Sequence, residues 1–187
     1  VAFLDAFGQK TLGKTTVLCK DTPAFIANRI GVFSMLDVIA IQQKLGLKVE
    51  EIDKLTGPVI GHPKSATFRT ADVVGLDTLI KVADGLNAAL KNNALIVPDY
   101  VRKMAENKWL GDKTGQGFFK KVVNEKGEKE FWTLNPETLD YQLPQKVKFA
   151  TLESTKSIEK LRHRWTILNS GTDSAGEFYR QMLAGLF

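Results

Sequence analysis

The chain has 187 residues, 43% of them apolar and 25% charged, with a net charge of +5. That size and balance fit one domain with a real core, or one domain plus part of another, and exclude a disordered or fibrous chain. A single cysteine, Cys19, rules out an internal disulfide, and no stretch approaches the ~20 apolar residues of a membrane span.

Residues 1–12 carry apolar side chains at 3, 4, 7 and 12, a helical spacing that Gly13 would end. "TTVLCK" (15–20) is short, is β-branched where it starts, and reads as a strand with Cys19 as a buried, inert thiol. One helix and one strand cannot make a sheet, so 1–20 reads as the last αβ unit of a larger α/β domain. The start at Val1 and the close on an apolar Leu-Phe suggest a piece excised from a longer chain.

Asp21-Thr22-Pro23 is a helix-start signal, and the helix should run to about Leu45, with Gly46 ending it. Its apolar residues go nearly all round, as in a helix buried on most sides. Residues 48–57 form a short second helix, and 58–66 a loop rich in Pro and Gly. Residues 70–91 are helical with a break near Gly75. Pro98 starts a helix over 98–110 with Tyr100, Val101 and Met104 on one side. "GDKTGQGFF" (111–119) is a glycine-punctuated turn into a β-hairpin whose own turn is Asn124–Gly127. From about 135 an extended connector leads to two further helices, over 152–170 and 173–187.

No G-x-G-x-x-G follows a strand, and no G-x-x-x-x-G-K-[ST] is present, so no nucleotide fingerprint is expected here. The two histidines, His62 and His163, and Cys19 are too scattered for a metal site. His163 reads as surface and His62 as a loop residue that could line a site. The basic residues are dispersed rather than gathered with aromatics, so nucleic acid is not an expected partner.

Asn28 is the odd residue of the first long helix. On a 3.6-residue period it shares a face with Gly31, Val32 and Met35. Its amide either bonds a neighbouring loop carbonyl or faces a cleft and orients a substrate or catalytic group. Arg29 points about 100° away and reads as a salt bridge to a loop acid. Lys64, in "GPVIGHPKSATFR", either is solvated or meets an anionic group.

Together, "CKDTPAFIANRIG", "DVVGLDTLIKVADGL" and "GDKTGQGFF" resemble, in order, the signature motifs of the C-terminal domain of the L-3-hydroxyacyl-CoA dehydrogenase family, over roughly residues 1–120. The resemblance implies a mainly α fold: a helical bundle like the C-terminal domain of 6-phosphogluconate dehydrogenase, with a small β-hairpin and a leftover αβ piece of a Rossmann domain. The implied division is a Rossmann remnant over 1–20, the helical domain over 21–120, and a hairpin, linker and start of a second helical unit over 121–187. The last part is similar to the larger multifunctional fatty-acid oxidation proteins.

The resemblance also implies an activity. Family members oxidise a 3-hydroxyacyl-CoA to the 3-oxoacyl-CoA in β-oxidation by hydride transfer to NAD, held by an N-terminal Rossmann domain. That domain also carries the catalytic His–Glu pair, so neither His62 nor His163 corresponds to it. The active-site Asn of the Asn-Arg motif does correspond, and it is Asn28. Many members have a Gly-x-Pro-Met-Gly-Pro-like loop before the Asp-x-Val-Gly helix. Here Pro63 matches its first proline while Lys64 and Ser65 replace Met-Gly. His62, Pro63, Lys64 and Phe68 are therefore the candidate acyl-CoA contacts, with Lys64 facing the anionic CoA part. The implied partners are the acyl-CoA, the Rossmann domain of the same chain and a second copy in a dimer. No cofactor is expected in 1–187 itself, the fragment is expected to be inactive alone, and the location is cytoplasmic. Two alternatives stay open: a non-catalytic dimerisation or scaffold module, and the C-terminal half of another NAD(P)-dependent hydroxyacid dehydrogenase.

Overall fold

A computed structural model of the chain describes residues 1–91 and 93–186. It opens with α1 (Ala2–Ala6), which continues as a π-helical turn over Phe7–Thr11 and stops at Gly13, φ +62°. The expected strand over 15–20 does not form. The physical reason is the lack of a partner: a strand's N–H and C=O groups need a neighbouring strand, and none lies beside this segment. Val17, Leu18 and Cys19 are consequently exposed, so the thiol is not the buried group expected of it.

The first long helix, α2 (Ala27–Leu45), starts later than the Asp-Thr-Pro signal implies. Residues 23–26 make a turn in which Ala24 and Phe25 have φ of 63° and 49°. Its end is where the glycine predicts, at Gly46 in the left-handed conformation. The helix lives in two environments. Leu36, Val38, Ile39 and Ile41 are buried, whereas Ile30 and Phe33 in its first half are exposed.

Next come α3 (Val49–Thr56), α4 (Phe68–Val74), α5 (Leu76–Leu90) and α6 (Asp99–Glu106). Glu51 accepts from the Lys48 backbone N–H at 2.8 Å and so caps α3. Gly75, φ +94°, makes the break between α4 and α5, a conformation that favours glycine. Pro98 caps α6, whose Tyr100, Val101 and Met104 face the core as the spacing predicts.

The antiparallel hairpin pairs β1 (Phe119–Val123) with β2 (Lys129–Leu134), in the register Phe119↔Thr133 to Val123↔Lys129. Asn124 organises its turn, its side-chain oxygen accepting from the N–H groups of Lys126 and Glu128. A third strand, β3 (Tyr141–Gln142), adds to β2 inside what reads in sequence as a plain connector.

The C-terminal helices are α7 (Ala150–Glu153), α8 (Leu161–Ser170) and α9 (Ser174–Leu186). Helix α8 thus begins nine residues later than the expected 152, after an irregular stretch. Asp173 ties this part together, accepting from the Thr151 N–H and hydroxyl and from the Gly176 N–H. Phe178 and Tyr179 of α9 are fully buried in the same apolar cluster as Ile39 and Ile52. Tyr179 donates its hydroxyl to the Leu55 carbonyl at 2.8 Å. Helix α9 crosses α2 so closely that a Cβ on Gly185 would sit 2.7 Å from an Asp37 carboxylate oxygen. Among the described residues, no helix is long and apolar enough to cross a membrane.

Candidate functional site

Asn28 stands in the first turn of α2 and is exposed. Exposed apolar side chains surround it in sequence: Phe25, Ile26, Ile30 and Phe33. Nothing lies within 4 Å of the position a Cβ would take on Gly31. Among the described residues, Arg29 does not reach an acid. Its Nε donates to the Pro23 carbonyl at 3.0 Å and so closes the turn before the helix. A cavity of about 300 Å³ opens there, lined by Cys19, Lys20, Thr22, Phe25 and Ile26 with Arg29 and Ile30.

The other candidates fall in two places. His62, Pro63 and Lys64 are exposed on the turn after α3, with His62 Nδ1 3.2 Å from the Thr56 carbonyl. Phe68 is wholly buried, its ring 4.4 Å from that of Phe118. Its side chain packs the core and presents no surface to a ligand. The sequence showed an aromatic in a polar loop, but Phe68 is the first residue of α4 and turns inward.

That inward turn has a cause. The Asp53 carboxylate accepts from the backbone N–H groups of Thr67, Phe68 and Arg69 at 2.6–3.1 Å, satisfying the donors that the start of α4 leaves free. Burial pushes Asp53 up to about 7 against the pull of those bonds. Asp72, at 1% exposure, does the same for the hairpin. Its two oxygens accept from the Phe118 and Phe119 N–H groups at 2.8 and 2.9 Å, and burial raises it to about 6.

A family profile described as "3-hydroxyacyl-CoA dehydrogenase, C-terminal domain" matches residues 25–121, just over half of the chain. The chain belongs to the 3-hydroxyacyl-CoA dehydrogenase family. It is 42% identical over 177 residues to a probable 3-hydroxyacyl-CoA dehydrogenase of Bacillus subtilis, covering 93% of this chain and 22% of that protein. It is 38% identical over 152 residues to a putative fatty acid oxidation complex trifunctional enzyme of Rickettsia felis, covering 77% and 21%. Among solved structures it superposes on the (S)-3-hydroxybutyryl-CoA dehydrogenase PaaH1 of Ralstonia eutropha with a TM-score of 0.55 at 29% identity, covering 62% of this chain and 40% of that one. The chain thus spans about a fifth of the length of these two sequence relatives.

Two of the motifs carrying the dehydrogenase resemblance meet in one latch. "DVVGLD" supplies Asp72, Gly75 and Asp77, and "GDKTGQGFF" wraps over them. A Cβ on Gly117 would overlap Asp72 Oδ1 and lie 2.6 Å from the Gly111 Cα, and one on Gly111 would lie 2.7 Å from the Asp72 Cα. Lys113 pairs with Asp77, and Arg69 holds Asp112 with two parallel bonds of 2.5 and 2.8 Å. These residues hold the hairpin on the helices. Sequence reading passed over Asp53 and Asp72. The available signal was an acid beside Ala71 on the core-facing side of a helix, since a buried charge must find donors.

The segment after the first helix, residues 15–26, does not fit the dinucleotide that the resemblance implies for the family. A dinucleotide's diphosphate takes a glycine-rich turn between a paired strand and a helix N-terminus. Residues 15–26 contain no glycine and join no sheet. Among the described residues, no cluster of three or more His, Cys, Asp or Glu could hold a metal ion.

Proposed function

We propose that this chain is the substrate-side domain of an NAD-dependent L-3-hydroxyacyl-CoA dehydrogenase of fatty-acid oxidation, working with a Rossmann domain preceding it in the same polypeptide. The observation that supports this best is the setting of Asn28. It is a polar residue on the exposed first turn of a 19-residue helix whose second half is fixed in the core. The exposed apolar side chains Phe25, Ile26, Ile30 and Phe33, on other sides of the same helix end, leave apolar surface for a domain to pack on and exclude water. In this reading Asn28 is the positioning amide of the reaction. The upstream domain would supply the His–Glu pair and the site for NAD, which would provide the hydride-accepting chemistry. The Asn28 side chain steadies the substrate oxygen on which charge develops, an effect that depends on the donor being held in place before the reaction. His62, Pro63 and Lys64, all exposed, form the CoA-facing rim. Residues 1–20 are the C-terminal edge of the Rossmann domain, 21–120 the helical domain, and 121–187 the start of a second helical unit. Alone, the chain is inactive.

The test joins the chain to the Rossmann domain of its parent and follows acetoacetyl-CoA-dependent oxidation of NADH. Asn28→Ala should lower kcat by about 10²–10³, the size of a lost transition-state donor. Activity that needs the chain yet is equal for both versions would reduce it to a lid or dimer scaffold. Lys64→Ala should raise KM for the acyl-CoA with kcat unchanged, and an unchanged KM would remove Lys64 from the site.

A further inference from the structure

A larger cavity than the one beside Arg29 lies away from Asn28. It measures about 680 Å³ and opens between the C-terminal end of α2 with the turn after it (Gln42, Leu47), the N-terminal half of α6 (Tyr100, Lys103) and the end of β2 with the connection to β3 (Leu134, Asn135). Two polar atoms in its walls, Gln42 Oε1 and Tyr100 Oη, are buried and have no hydrogen-bond partner among the described residues. Gln42 is 3% exposed and Tyr100 7%. Neither is loose. The Gln42 Nε2 donates to the Leu47 carbonyl at 2.5 Å, which fixes the amide and leaves its oxygen as a bare acceptor. The Tyr100 ring is locked edge-on to Phe118 at 6.3 Å. Buried polar groups in folded proteins find partners, so bare ones beside a roomy cavity describe what an occupant must supply.

The rest of the lining narrows the chemistry. Lys48 and Lys103 are matched by Asp99 and Glu137, so the cavity favours neither sign of charge. Burial raises the Tyr100 hydroxyl above its ordinary range and keeps it neutral. Leu47, Val97 and Leu134, each buried, give an apolar wall. We propose that this cavity binds a neutral small molecule carrying a carboxamide on an apolar body, its N–H donating to Gln42 Oε1 and its carbonyl accepting from Tyr100 Oη. The site needs neither Asn28 nor an upstream domain, so it does not rest on the proposed dehydrogenase role.

Three probes of one shape and three charges test it: benzamide, benzoate and benzamidinium, titrated into the ¹⁵N-labelled chain by NMR. Benzamide should shift amides from all three lining elements, and both charged analogues should bind at least tenfold more weakly. Tyr100→Phe removes one hydrogen bond and should raise the benzamide Kd about tenfold, with the rest of the spectrum unchanged. Should that variant fail to fold, Ile96→Trp, at an exposed position of the lining, should block entry instead. No benzamide binding means that water alone fills the cavity and overturns the proposal. So does equal binding of the three probes, or binding that neither variant weakens.

Discussion

Replacing Gly117 by Ala strikes the Asp72 latch at one point. The backbone there needs no positive φ, so the effect is steric. The new methyl would overlap Asp72 Oδ1, and the Gly111 Cα sits 2.6 Å away on the other side. The methyl can be housed only if the carboxylate moves, and that carboxylate holds the Phe118 and Phe119 N–H groups. Hydrogen bonds to a charged group are worth about 1.5–3 kcal/mol each, so losing both costs about 3–6 kcal/mol. That is a large part of the 5–15 kcal/mol typical of a whole domain. Gly115→Ala, two residues away, is the control. Its Cβ meets nothing within 4 Å, and only its φ of +72° is strained, for about 1 kcal/mol. Urea unfolding followed by far-UV circular dichroism should place the Gly117 variant several kcal/mol below the Gly115 one. Equal stability of the two would show that Gly117 does not hold Asp72 in place.

Stability should fall as pH rises from about 4 to 7. Asp53 and Asp72 have folded-state values of about 7 and about 6 against an ordinary 3.8, so their stabilising contribution is full below 3.8 and is lost as pH climbs through the folded values. For Asp72 the difference, 6 less 3.8, is about 3 kcal/mol at 1.36 kcal/mol per pH unit. A urea midpoint that rises across this window would contradict the assignment. Tyr179→Phe removes the bond to the Leu55 carbonyl and should cost about 1–3 kcal/mol, read as a thermal midpoint several degrees lower; no change would mean that α9 does not dock through it. Arg69→Lys should cost less than about 1 kcal/mol in the same assay, because Arg69 and Asp112 are 31% and 40% exposed and solvent screens the pair.

The helices were legible because their signals are local. Gly46, Gly75 and Pro98 end, break and start helices through their own backbone chemistry, and the structure uses them at those positions. Segment 15–20 was misread because a strand is a pairwise object. Its β-branched start states a preference, and without a neighbouring strand the preference leaves it irregular, with Cys19 in the open. The α2 start was misread for a related reason: Pro23 permits a first turn, but Ala24 and Phe25 take positive φ and delay the helix to Ala27. Phe68 shows a third limit. An aromatic beside Lys64 and Arg69 reads equally well as a pocket wall or as a core residue. What decides is Asp53, fifteen residues earlier, which pins the start of α4 and points the ring at Phe118.

Asn28 was picked out by its residue type in an apolar run, and the helix explains how such a position can be both open and rigid. Leu36, the first buried apolar residue of α2, lies eight residues on, about 12 Å along the axis. From there to Leu45 the helix is gripped by the core, and α9 presses on it at Asp37 through Gly185. A continuous helix carries that rigidity outward at little cost, because each backbone hydrogen bond is already made within it. An amide two turns beyond the core therefore keeps a defined direction while remaining accessible, which a loop of the same reach would not give it. The grip also couples distant parts of the chain. A substitution that loosens α9, such as Tyr179→Phe, should blur the orientation of Asn28 without touching it. In the reconstituted enzyme this would show as a lower kcat at unchanged acyl-CoA KM. If kcat stays at its original value while the thermal midpoint falls, the first half of α2 is held by the packed upstream domain instead, and α9 stabilises the fold alone.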